Sequence, residues 1–143
     1  MQARGAGATA FRMTTLLPIT LCVAAAAALL SVWLGLRASR LRIRHSIAMG
    51  DGGHDVLLAR MRAQANFVEY APVFVLLLLA VELAIGSPAW LWALAALFLL
   101  GRVAHPFGME RPAPNALRVA GTLITWTALI GLALAALWIA LGR

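Results

Sequence analysis

Four apolar stretches, each about 20 residues long, take up most of this sequence, and eight of its seventeen charged residues fall in the short segments between them. About 20 consecutive apolar residues is the length an α-helix needs to cross the hydrocarbon core of a bilayer. Inside that core every backbone N–H and C=O must find its partner within the segment, so each stretch has to be a helix. Only 12% of the 143 residues are charged and 63% are hydrophobic; a soluble domain carries about 25% charge. The sequence therefore predicts an all-α integral membrane protein. It reads as one four-helix bundle over 14–142, behind a short leader over 1–13.

The first span runs from Thr14 to Leu36. Its apolar part is longer than the roughly 7–15 residues of a secretory signal, so it reads as a retained helix. Small residues at 24–28 let a neighbouring helix approach closely. The second span runs from Val56 to Ile85. Gly86-Ser87-Pro88 then makes a tight turn, with Ser87 as N-cap and Pro88 at the first helical position of the third span. That span reaches Phe107, and Pro112 and Pro114 keep the next loop extended. Asn115 caps a fourth span over Ala116 to Leu141. Gly50-Asp51-Gly52-Gly53 reads as a turn, because a phosphate loop needs Gly-Lys-Ser/Thr downstream. The tryptophans at 33, 90, 92, 126 and 138 fall mostly near span ends, where interface anchors sit.

The formal charge of +7 comes from twelve arginines and no lysine. In a soluble chain that excess points to nucleic acid; between membrane spans it marks the cytoplasmic loops, and no nucleic-acid partner is expected. Nine of the twelve arginines lie between Arg37 and Arg62 or between Arg102 and Arg118. Both clusters are thus expected in the cytoplasm, with the two termini on the other face. The arginine-only, alanine-rich usage points to a GC-rich bacterial genome, and so to the inner membrane. Cys22, the one cysteine, lies in an apolar helix without ligand partners. It should be inert, no metal site is expected, and any sulfur chemistry must come from a bound small molecule.

Some polar residues sit where lipid would not tolerate them. The second span opens RMRAQANFVEYAP, in which Arg62, Asn66 and Glu69 follow i, i+4, i+7 spacing and share one narrow helix face. Tyr70 flanks that stripe. A carboxylate at this depth marks either a site or a structural ion pair with Arg62. Arg102 and His105 are i, i+3 neighbours at the end of the third span. Arg118 lies in the first turn of the fourth, where the helix dipole is already positive. A guanidinium there makes an anion site, or else reaches to lipid phosphates. Glu82, near the opposite membrane face, reads as an interfacial group or a hydrogen-bond partner between helices, outside the site.

Arg62-Ala63-Gln64-x-Asn66-x-x-Glu69-Tyr70-x-Pro72-x-Phe74 resembles the second-helix signature of the MAPEG family, the membrane-associated proteins in eicosanoid and glutathione metabolism. Arg102-Val103-Ala104-His105, Leu117-Arg118 and Arg40-Leu41-Arg42 resemble the family's third-helix, fourth-helix and post-first-helix segments. The Gly-rich loop before them is similar to the small bacterial branch. The resemblance implies a homotrimer that binds glutathione, as co-substrate, between neighbouring subunits on the cytoplasmic side. It implies that Arg40 of a neighbouring subunit contacts a glutathione carboxylate and that Arg62 supports the site. Asn66 and Glu69, flanked by Tyr70, would bind the peptide's polar ends, His105 would assist, and Arg118 would activate the thiol. Two positions depart from the pattern: Met109 replaces a tyrosine four residues after His105, and Ala65 stands where the prostaglandin-synthase branch has arginine.

The chemistry is coherent without the family. Glutathione carries two carboxylates, an ammonium and a thiol with a pKa of about 8.5. Arginines suit the carboxylates and Glu69 suits the ammonium. A guanidinium at a helix N-terminus favours the nucleophilic thiolate. The expected function is a membrane glutathione transferase, or glutathione-dependent peroxidase, acting on lipophilic electrophiles delivered from the bilayer. The rival is a non-catalytic scaffold or binding protein that keeps the fold. A small multidrug transporter ranks last, because it is expected to carry a carboxylate in its first span and Thr14–Leu36 has none.

Overall fold

The computed structural model describes residues 16–142, so the leader expected over 1–13 and the start of the first span lie outside the described residues. Four helices follow in order: α1 (Pro18–Arg44), α2 (Asp55–Ile85), α3 (Ala89–Met109) and α4 (Ala116–Ala140). No strand occurs among the described residues. All four helices are long and apolar enough to cross a membrane. The molecule is an integral membrane protein.

Contacts between helix ends show the up-and-down arrangement. Glu82 at the C-terminal end of α2 meets Ile19 and Thr20 at the start of α1. At the other end Glu110, just past α3, meets Arg37 of α1 and Arg60 of α2. Both arginine-rich regions therefore share one end of the bundle. α2 touches the other three helices, while α1 and α4 do not touch. Phe74 and Phe98 stack at the centre, ring centroids 3.7 Å apart, among buried Ile19, Leu78, Leu91 and Leu132. Leu29, Leu76, Leu100 and Leu134 face outward. Lipid is as apolar as those side chains, so cohesion comes from close packing and interhelical hydrogen bonds rather than from expelling water.

Three expectations are corrected. α1 does not stop at Leu36; it continues through Arg44, because RASRLRIR contains no helix breaker. Hydropathy marks where lipid ends, and the helix ends only where Ser46 takes a positive φ ahead of the Gly-rich turn. Ser87 does not cap α3, and Pro88 is the N-cap residue rather than the first helical one. The Ser87 hydroxyl instead donates to Glu82 Oε1 at 2.6 Å, since a buried carboxylate is the stronger acceptor. The third helix also runs on past Phe107 to Met109. Asn115 does cap α4, accepting from the Leu117 N–H at 3.1 Å.

Glu82 explains how α1 begins. It is 1% exposed and accepts the N–H groups of Ile19 and Thr20 at 3.0 and 2.7 Å. The first N–H groups of any helix lack internal partners. Here a carboxylate from another helix supplies them, and Pro18 in the first turn has no N–H to satisfy. Glu82 is thus an interhelical hydrogen-bond partner.

Candidate functional site

A pocket of about 230 Å³ opens at the arginine-rich end, between α2, α3 and α4. α2 lines it with Arg62, Ala65, Asn66 and Glu69, the face that their spacing defines. His105 and Met109 line it from α3, Arg118 and Thr122 from α4. Arg62, Glu69 and Arg118 are exposed, and His105 is buried. Among the described residues the ion pairs are Arg37–Glu110 and Arg60–Glu110. Arg62 and Glu69 therefore do not form the structural pair that their register allowed. Two guanidinium groups and one carboxylate face a single concavity with no ion-pair partner among the described residues.

The position of Arg118 follows from a close helix approach. A Cβ added to Gly108 would overlap the backbone nitrogen of Arg118 and lie 2.8 Å from its Cα. A Cβ on Gly121 would lie 2.8 Å from the His105 Cβ and 2.9 Å from the Gly101 carbonyl oxygen. Glycines on α3 and α4 thus let two backbones touch, as small residues do in membrane bundles. The contact brings the first turn of α4, with its positive dipole end, beside the last turns of α3.

Behind the pocket lies Arg102, 2% exposed. Its Nη1 donates to Asn66 Oδ1 at 2.9 Å and its Nη2 to the Gly121 carbonyl at 3.3 Å. The Tyr70 ring faces the guanidinium at 5.9 Å, and the Tyr70 hydroxyl accepts from the Trp126 indole N–H at 3.1 Å. Tyr70 therefore stands in the wall behind the stripe and does not line the pocket. Arg40 is exposed on the final turns of α1 and does not line the pocket of its own chain.

A second charged cluster closes the same end of the bundle. Glu110 pairs with Arg37 and accepts from Arg60 Nε at 2.9 Å, while Arg60 Nη1 donates to the Arg37 carbonyl at 2.8 Å. The Arg37 guanidinium also lies 4.6 Å from the Trp33 ring and 5.2 Å from the Phe107 ring. This clasp ties α1, α2 and the end of α3 together. Sequence reasoning did not single out Glu110, Gly108, Gly121 or the Arg102–Asn66 contact. The available signal was the i, i+7 spacing of Gly101 and Gly108, which puts two hydrogen side chains on one face of α3.

In chemical terms the pocket sets two guanidinium groups beside one carboxylate, a combination that can receive an anionic or zwitterionic group. Among the described residues no cluster of three metal-ligating side chains occurs. The MAPEG family model matches residues 20–138, which takes in nearly all of the four helices. The inner membrane protein YecN of Escherichia coli strain K12 is 36% identical over 100 residues, covering 69% of this chain and 75% of that protein. YecN of Escherichia coli O6:H1 strain CFT073 matches to the same extent.

Proposed function

Because the chain belongs to the MAPEG family, we propose that it is a membrane glutathione transferase, or glutathione-dependent peroxidase, acting on lipophilic electrophiles. The observation that carries this reading is the set of charges around one pocket that have no ion-pair partner among the described residues: Arg62, Glu69 and Arg118. Arg118 stabilises the thiolate, helped by the N-terminus of α4. Arg62 and Asn66 hold acceptor groups of the peptide, Glu69 holds its ammonium, and His105 shapes the floor. Tyr70 acts from behind, against Arg102. In transfer, the thiolate attacks an electrophilic carbon, a carbon–sulfur bond forms, and the leaving group departs with its electron pair. In the peroxidase branch the thiolate attacks a peroxide oxygen, the O–O bond breaks, and the alkoxide leaves and is protonated to the alcohol. A second glutathione thiol then attacks the resulting sulfenic sulfur, forming the disulfide and releasing water.

The pocket's size supports a shared site. Ligand pockets usually enclose about 300–1,000 Å³, and this chain alone provides about 230 Å³. A homotrimer, with Arg40 of a neighbouring subunit closing the pocket, supplies the missing wall. Four apolar helices and a relative from the inner membrane support an integral inner membrane protein. By the positive-inside rule the pocket end faces the cytoplasm.

The test is the ultraviolet difference absorbance of glutathione thiolate on purified, detergent-solubilised protein near neutral pH. Wild type should show the thiolate band and Arg118→Ala should lose it while keeping its oligomeric state by cross-linking. No band in either, with an intact trimer, would sink the catalytic reading. It would favour the second one, a non-catalytic scaffold, for which Met109 on the pocket wall speaks.

A further inference from the structure

Arg102 is out of place on stability grounds. It is buried in a membrane helix, and no carboxylate lies within ion-pair range of it among the described residues. An unpaired cation in such a setting is costly, and a well-packed apolar side chain of similar volume is often neutral or better. Its presence asks for a reason other than cohesion.

Its contacts supply one. A guanidinium has donors only, and an asparagine can meet a donor only through its oxygen. Since Arg102 Nη1 holds Asn66 Oδ1 at 2.9 Å, the carboxamide cannot turn round. The NH2 end is then the one left for the pocket that Asn66 lines. The second Arg102 nitrogen is anchored on the Gly121 carbonyl, and its Nε has no hydrogen-bond partner among the described residues. The guanidinium is thus tied at one end to α4 and acts on α2 at the other.

We infer that Arg102 is a positioning residue that locks Asn66 as a hydrogen-bond donor, so that the pocket takes an acceptor group at that point. A carboxylate or peptide carbonyl fits there; an ammonium does not. Glu69, three residues on along α2, is the acceptor that faces the same space. The lock therefore gives the pocket a polarity and sets which way round a peptide lies. For its ligand the inference rests on the glutathione reading.

Three variants test it. Asn66→Asp keeps an acceptor for Arg102 and pairs the buried cation, yet has no donor for the pocket. Its melting temperature in detergent should exceed that of wild type, while glutathione binding by calorimetry weakens about tenfold or more. Arg102→Met should lose affinity by a similar factor, and adding Asn66→Asp to it should weaken binding little further. Arg102→Lys, with a donor restored, should recover part of that affinity. An Asn66→Asp protein that binds glutathione as wild type does overturns the inference, and so does Arg102→Met with unchanged affinity. Should wild type itself bind no glutathione, the functional reading fails, and melting temperatures decide the lock alone. Asn66→Asp must then raise the melting temperature only where Arg102 is present; an equal shift in the Arg102→Met background overturns it.

Discussion

Gly108→Ala is a one-carbon change that should separate folding from function. The added Cβ would lie 2.8 Å from both the Arg118 Cα and the Leu117 carbonyl carbon, where ordinary contact begins at 3.4 Å. It would overlap the Arg118 nitrogen more closely still. All three atoms are backbone, so no side-chain rotation relieves the clash and α4 itself must retreat by roughly half an ångström or more. Overpacking of this kind costs about 1–3 kcal/mol. The effect on the site should be larger, because misplacing a reacting group by about 1 Å can cost on the order of 100-fold in rate. The control is Gly131→Ala, on α4 itself, where the new Cβ meets only Leu94 Cδ2 at 3.9 Å. There the gain in helix propensity should stabilise by up to about 1 kcal/mol. Both proteins would be measured in detergent, by thermal melting and by glutathione thiolate absorbance. Gly131→Ala should melt at or above wild type with full absorbance; Gly108→Ala should melt lower and lose most of the band. If the two variants behave alike, the backbone contact does not place Arg118 and the reasoning fails.

Other expectations concern the two ends of the bundle. Glu82→Ala strands the Ile19 and Thr20 N–H groups in an apolar setting and should destabilise by about 2–4 kcal/mol. Glu82→Gln, which keeps one oxygen, should lose less; equal melting of Glu82→Ala and wild type would contradict the cap. Glu110→Gln leaves Arg37 and Arg60 without their carboxylate in a partly exposed place, for about 1–2 kcal/mol, and should leave the thiolate band intact. Tyr70→Phe removes the acceptor of the Trp126 indole and should alter tryptophan emission, with stability changed by about 1 kcal/mol or less.

The four helices were legible because bilayer thickness sets their length and leaves composition little freedom. Asn115 was legible for a similar reason, since a cap and the N–H it serves lie two residues apart. Ser87 carried the same local signal and was misread, because Glu82, which is buried against α1, competes for its hydroxyl. The stripe of Arg62, Asn66 and Glu69 could be read because all three share one helix. The Arg102–Asn66 bond spans 36 residues of sequence and Arg60–Glu110 spans 50. Such partners are chosen by how helices rotate against one another, and no spacing rule records that. Gly108 was hidden for the same reason: a glycine in a helix reads as a weak spot until the opposing backbone is known.

The length of α1 has a consequence of another kind. Its 27 residues measure roughly 40 Å, against a hydrocarbon core of about 30 Å. The turns that carry Arg40, Arg42 and Arg44 therefore stand clear of the lipid tails as continuous helix. Ordering a residue from a free chain costs about 1–2 kcal/mol in backbone entropy, and here that cost is met when the chain folds. Whatever those arginines reach for beyond their own chain meets them already held in place, so association spends little on freezing the arm that makes the contact.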